Sequence, residues 1–202
     1  MRGMLRGTLT QVQIFGTIVA VLLVTALWGC TSLQSDYVTA VRGNWYNYSP
    51  SYTSYAFSAG EVNTLIFGSA FDMPQAAFEE KVTDPMHGRP FWAPSVRYTT
   101  QPSDAASDAF YVVLTFNPPD SYDGYDACAK RELGGEATGP HVRVVGAFCS
   151  NVKLLSEVRA SASGVTGPED GLFARLVQRV VIELFPPRSP HIGPSCATTS
   201  SC

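Results

Sequence analysis

The segment Phe110–Phe116 constrains the fold of this chain more than any other stretch of its sequence. It is rich in β-branched and aromatic residues, which are favoured in strands, and Pro118 and Pro119 end it. Apolar residues occupy both of its faces, so we expect this strand to lie in the centre of a sheet. The sequence therefore predicts a domain built on a sheet, with this segment inside it.

Weaker patterns predict further strands around this one. They are expected at Val62–Phe67, Val96–Thr99, His141–Phe148 and Val152–Ala160. In the last of them Val152, Leu154 and Val158 alternate with charged residues, which predicts one buried side and one side in solvent. The residues Cys149–Asn151 are expected to turn a hairpin between the last two strands.

Two helices are predicted, one on each side of the central strand in the chain. The first is expected to use Asp72 as its cap and to hold Pro74 in its first turn, while Pro85 should disrupt its end. The second is expected to begin near Pro168 and to carry a continuous apolar stripe over Leu172–Leu184. That stripe places part of the helix in the main core, including Leu176, Val177 and Val180.

These elements predict the α+β class, with an antiparallel or mixed sheet of four to five strands and two helices packed on one face. An arrangement with one helix on each face is the alternative. The expected organisation is a single domain over residues 61–186, preceded by an aromatic tether over residues 30–60. Residues 187–202 are rich in Pro, Ser and Thr and are expected to form a tail.

The N-terminal 29 residues have the layout of a signal peptide, which is removed from the mature protein. Arg2 and Arg6 supply the basic start, and the apolar run Ile14–Trp28 follows. As a helix this run would extend about 22 Å at ~1.5 Å per residue. Because a hydrocarbon core needs about 30 Å, the run is short for a permanent membrane span.

The end of the run, Leu27-Trp28-Gly29-Cys30, resembles a bacterial lipobox, although Trp28 departs from the usual pattern. In the lipoproteins that it resembles, the Cys is acylated and becomes the mature N-terminus. The resemblance implies lipidation of Cys30, and Thr31 in place of Asp implies the outer membrane, facing the periplasm. A cleaved secretory signal and an uncleaved N-terminal anchor remain as alternatives.

The number of cysteines fits this prediction. The chain has five, and an odd cysteine in an exported protein needs an explanation. Acylation of Cys30 leaves four that can pair in an oxidising compartment. We expect a disulfide between Cys128 and Cys149, which would allow Cys196 to pair with Cys202, but four cysteines permit three connectivities and the sequence does not choose.

The expected tether holds the candidate partner-binding residues. Tyr and Trp carry much of the binding energy at interfaces because they offer large apolar area with a polar end. The alternative is that these rings simply pack on their own domain. The candidates are Trp45, Tyr46, Tyr48, Tyr52 and Tyr55.

The sequence gives little support to catalysis, to metal binding or to binding of nucleic acid. It holds none of the local nucleophile, phosphate-loop or zinc motifs. The histidines His87, His141 and His191 are far apart, and the carboxylates of Asp120–Asp126 lack calcium-loop spacing. Without the signal peptide, 12 basic residues stand against 17 acidic ones and form no run, which disfavours nucleic acid. No metal or cofactor is expected.

Three short segments resemble a group of small bacterial lipoproteins of unknown function. They are Phe110–Pro118, Ala147–Cys149 and Leu184–Pro186, and the resemblance covers about residues 62–186. It implies an exported lipoprotein and lends no activity.

Two function classes therefore remain. We expect a non-catalytic, lipid-anchored protein of the cell envelope that binds a protein, glycan or lipid partner. The alternative is a small periplasmic hydrolase without a recognisable motif.

Overall fold

The computed structural model describes residues 38–136 and 139–188, which belong to one compact unit. The elements follow each other as β1 (Val38–Asn44), α1 (Pro50–Ala56), β2 (Glu61–Phe67), α2 (Gln75–Met86), β3 (Arg97–Thr99), β4 (Phe110–Phe116), α3 (Gly124–Cys128), β5 (His141–Ser150), β6 (Lys153–Ser163) and α4 (Gly171–Leu184).

The strands form one mixed sheet in the order β1-β6-β5-β4-β2-β3. Strand β2 is parallel to both of its neighbours, β3 and β4, and the other three pairings are antiparallel. The α+β class and the internal position of Phe110–Phe116 are confirmed. The predicted number of four to five strands is wrong, because the described residues contain six.

The first face of the sheet, to which Val112, Leu114 and Phe116 contribute, carries the main core. Helices α2 and α4 pack there, and the predicted core residues Leu176, Val177 and Val180 of α4 are at most 1% exposed. Strand β5 has Gly146 under this helix, where an added Cβ would stand 2.6 Å from Cγ1 of Val180. Helix α4 therefore lies directly on the backbone of β5.

The second face, to which Tyr111, Val113 and Thr115 contribute, is covered over part of its area by the short helix α3. Cys128 at the end of α3 is bonded to Cys149 of β5, with 2.01 Å between the sulfur atoms. This is the pair expected from the sequence. The hydroxyl of Tyr111 donates to the carbonyl of Cys128 at 2.7 Å, which also holds α3 against the sheet.

Four helices, rather than the two predicted, are present in the described residues. Helix α3 covers part of the second face, which is also apolar, at Val113 and Ala147 among others. Packing α3 there is favourable because it removes this apolar surface from water. Strand β1 and helix α1 lie inside the segment expected to be a tether. The domain therefore includes residues from Val38 onward.

Strand β6 departs from the predicted alternation because of a bulge. Phe148 pairs with Ser156 and Cys149 with Leu154, so that Leu155 is the extra residue. Leu154 then faces the second core and Val158 the first, while Val152 is 75% exposed in the turn. The prediction that these three share one buried side is wrong.

The helix starts differ by a few residues from those predicted. Helix α2 has Pro74 at its cap position and runs through Pro85 to Met86. Helix α4 begins at Gly171, capped by Asp170, whose carboxylate accepts from the backbone N–H of Leu172 at 2.9 Å.

Within residues 38–136 and 139–188, no helix has both the length and the apolar character that a membrane crossing requires. The predictions for the signal peptide, Cys30, Cys196, Cys202 and most of the tail lie outside the described residues.

Candidate anion-binding site

Three arginines from adjacent strands face the same side of the sheet, next to the area covered by α3. Arg42 of β1 pairs directly with Arg159 of β6, and Arg159 pairs with Val145 of β5. Arg143 lies two residues before Val145, so the pleat places it on the same face and diagonal to Arg159. The topology thus gathers arginines that are far apart in the sequence.

This arrangement of like charges is unfavourable for the fold. Directly opposed side chains on antiparallel strands have their Cβ atoms about 4.5–5.5 Å apart, and like charges in such pairs destabilise the sheet. Residues whose interactions destabilise the fold are typical of functional sites. The opposed pair of Arg42 and Arg159 is such a place.

Two of the three arginines have partial charge compensation. Nε of Arg159 donates to Oε1 of Glu157 at 2.7 Å, and Glu157 is only 2% exposed. Arg143 forms an ion pair with the largely exposed Asp120, and its Nη2 donates to the carbonyl of Pro118 at 2.9 Å. Arg42 is exposed and has no hydrogen-bond or ion-pair partner among the described side chains.

A pocket of about 260 Å³ opens between these arginines. Its lining includes Val145 and Ser161 from the sheet, and Pro118 to Asp120 from the loop that follows β4. Because Arg159 uses Nε for Glu157, its two terminal nitrogens have no hydrogen-bond partner in the described part of the chain. The site therefore offers guanidinium donors to a ligand.

The loop that walls the pocket is fixed by Asn117. This residue has φ +48°, a left-handed conformation that Asn adopts more readily than most residues. Its Oδ1 accepts from the backbone N–H of Arg143 at 3.0 Å, and its own backbone N–H donates to the Arg143 carbonyl at 2.9 Å. Its Nδ2 donates to the carbonyls of Ser69 and Glu136. The wall is thus bound directly to the strand that carries Arg143.

An aromatic pair adjoins the arginines on the second face. The rings of Tyr46 and Tyr125 lie 5.7 Å apart, and both are about half-exposed. Desolvation raises the pKa of Tyr46, and the negative charge of Glu157 raises it further. Arg159 acts in the opposite direction, so Tyr46 lies within the electrostatic range of both members of the Glu157–Arg159 pair.

The candidate partner-binding aromatics fall into two groups. Trp45 and Tyr48 are structural, because Nε1 of Trp45 donates to the carbonyl of Glu183 at 2.9 Å and the hydroxyl of Tyr48 to that of Pro186 at 2.7 Å. Burial raises the pKa of Tyr48. Tyr46, Tyr52 and Tyr55 are exposed, and the last two contact Phe110 at the end of β4 opposite to the pocket.

Other residues considered from the sequence serve the fold. Asp123 caps α3 by accepting from Tyr125 and Asp126, and Nδ1 of His87 accepts from the backbone N–H of Tyr98. In the described residues no three of His, Cys, Asp and Glu come together in a way that could hold a metal ion. A second cavity, of about 470 Å³, lies beside Gly68 and the start of α2 and is lined by Asp72 and Glu136 among others.

The arginine cluster was not predicted from the sequence, because no run of basic residues marks it along the chain. A signal was nevertheless present. Once a hairpin turns near Ser150, its pairing brings Arg143 and Arg159 to neighbouring positions on one face. Predicting that Arg42 belongs to the cluster would also have required the prediction of β1 as a strand.

Comparisons with known proteins find similarity among solved structures alone. No protein-family description matches it, and no curated protein does. Among solved structures it is similar to a PelC dodecamer from Paraburkholderia phytofirmans, with 14% identity over 72% of this chain and 96% of that one, at a TM-score of 0.39. A PelC dodecamer with one Leu-to-Met substitution gives 13% identity, 72% and 95% coverage, and a TM-score of 0.38. Similarity at this level carries no inference about this chain. Its own structure defines it as an α+β protein with an arginine-lined pocket.

Proposed function

We propose that the protein is a non-catalytic binding module of the cell envelope, and that the arginine pocket binds an anionic group of its ligand. The observation that carries this proposal is the opposed pair Arg42 and Arg159, with Arg143 beside it, around a pocket that no described helix covers. An anion bound there would relieve the repulsion between the arginines. Binding would therefore recover the folding free energy that this repulsion costs.

The chemistry of the pocket suits a phosphate or a carboxylate. The guanidinium group is planar and presents donors in a fixed fork that matches both anions. The ion pair of Arg143 is easily released, because the Asp120 side chain is 91% exposed and surface pairs contribute only about 0–1 kcal/mol. A ligand anion can therefore take the place of Asp120.

The hydrolase alternative finds no support in this pocket. Ser161 provides a hydroxyl there, but the lining holds no histidine, and its one carboxylate, Asp120, is ion-paired with Arg143. A serine nucleophile needs an adjacent general base to become reactive. The residues of the pocket are suited to binding.

We further propose that Cys30 carries the lipid that holds this module at the outer membrane, facing the periplasm. The support is the basic start, the short apolar run and the Gly29-Cys30 junction. Metabolic labelling with an alkyne fatty acid should tag the wild-type protein and leave the Cys30→Ser variant untagged. Equal labelling of the two would contradict lipidation at this residue.

The binding proposal is tested by titrating the purified protein with inorganic phosphate and with glucuronate in a calorimeter at low salt. Charge-assisted hydrogen bonds contribute about 1.5–3 kcal/mol, so Arg42→Gln and Arg143→Gln should each weaken binding about tenfold or more. Both variants leave the buried Glu157 paired with Arg159 and should fold normally.

The matched control is Arg97→Gln, which removes an exposed arginine from β3 at the other edge of the sheet. It should bind both anions as the wild type does. Equal affinity in all four proteins, or no measurable binding of either anion, would contradict the proposed function.

A further inference from the structure

The pocket lies at the end of the sheet where the described chain begins. Strand β1 starts at Val38, which pairs with Ala162 of β6. The neighbouring residue Ser161 lines the pocket and pairs with Arg143. The first residues of β1 and the arginine cluster are therefore close together.

The sequence limits how far this end can be from Cys30. Val38 is eight positions after Cys30 in the sequence, and a fully extended chain spans at most about 3.6 Å per residue. With acyl chains on Cys30, Val38 stays within about 29 Å of the bilayer surface. The arginine cluster is thus held in the region where the headgroups of the membrane are at high local concentration.

We infer that the anion recognised by the pocket is the phosphate of an anionic phospholipid headgroup in the membrane that holds the protein. This inference rests on the proposed function and names its ligand. Charge complementarity supports it: three arginines line this concave opening against one lining carboxylate, Asp120, whereas the mature chain as a whole is acidic.

The surroundings of the pocket also suit a headgroup. Tyr46 and Tyr125 expose an amphipathic pair on the same face, and such side chains are favoured at membrane interfaces because one end is apolar and the other is hydrated. The guanidinium of Arg42 is exposed on the edge strand, where it can reach a flat surface. The second face would then be turned towards the bilayer.

Hydrogen exchange of the mature protein in nanodiscs tests the inference. One set of discs contains phosphatidylcholine alone, and the other contains about three parts in ten of phosphatidylglycerol. An arginine at an anionic surface contributes about a fivefold change in the bound population. Amides of β1 and of residues 120–123 should therefore exchange severalfold more slowly in the anionic discs.

Three controls connect this protection to the arginines. It should disappear in the Arg42→Gln/Arg143→Gln double variant and persist in Arg97→Gln. It should also disappear in about 0.5 M salt, where screening shortens the range of charge interactions to a few ångströms. Melting temperatures of the variants that are no lower than that of the wild type confirm that the fold is retained.

The other outcomes overturn the inference in distinguishable ways. Calorimetric binding of inorganic phosphate without protection in anionic discs would reject the headgroup and keep the proposed function, since a free anion would then be the ligand. Failure of both measurements would reject both. Protection that survives in the double variant would show that other residues contact the lipid. A protein that does not enter phosphatidylcholine discs would lack the anchor on which the inference depends.

Discussion

The disulfide between Cys128 and Cys149 should contribute most of its stabilisation by restricting the unfolded chain. The two residues are 21 positions apart and close a loop that contains α3. For a loop of about 22 residues the chain-entropy relation gives a loss of about 11 cal/mol/K, or about 3.4 kcal/mol at 25 °C. For a domain of this size the same energy corresponds to a melting temperature about 10 °C lower.

Urea unfolding followed by circular dichroism measures this effect in three proteins: oxidised wild type, reduced wild type and the Cys128→Ala/Cys149→Ala double variant. The reduced wild type keeps both buried sulfur atoms, so its difference from the oxidised protein isolates the cross-link. At a typical slope of about 2 kcal/mol/M the midpoint should fall by roughly 1.7 M. If the midpoint of the reduced wild type decreases by less than about 0.5 M, the reasoning is refuted, because the loop would then already be constrained in the unfolded state.

Two further predictions test the packing and capping of α4. Gly146→Ala should cost about 1–3 kcal/mol, since the new Cβ would stand 2.6 Å from Val180, whereas Gly167→Ala, with nothing within 4 Å, should stay within about 0.5 kcal/mol in the same urea assay. Asp170→Ala removes the cap and should cost about 1 kcal/mol at pH 7. The backbone hydrogen bond from Leu172 lowers the pKa of Asp170 below its ordinary value of 3.8, so this stabilisation is present above that value and disappears as the pH falls through the lowered pKa. A stability difference between wild type and variant that does not shrink as the pH is lowered from 5 towards 2 would contradict this role of the carboxylate.

The sequence predicted the elements whose pattern is local. The stripe of α4 and the run Phe110–Phe116 are long and strongly apolar, so their burial follows from composition and period alone. Strand β1 carries no such pattern. It is held by its ladder to β6 and followed by Trp45, which bonds to the end of α4, and both are contacts between distant parts of the chain.

The candidate site was less predictable than the fold for the same reason. A cluster made by Arg42, Arg143 and Arg159 exists only after three strands have been placed in register, and no local motif marks it. The aromatic segment is visible in the sequence because its residues are close together in the chain. The structure uses part of that segment, Trp45 and Tyr48, to fix β1 and α1 to the domain.

The most direct test of the central claim observes the arginine side chains themselves. In nitrogen–proton spectra of the protein, titration with inorganic phosphate should shift the Nε–H signals of Arg42, Arg143 and Arg159 along one common saturation curve. The signal of Arg97, on the far edge of the sheet, should not follow that curve. Signals of the three arginines that stay fixed, or that move no more than that of Arg97, would contradict the account of this pocket as an anion-binding site.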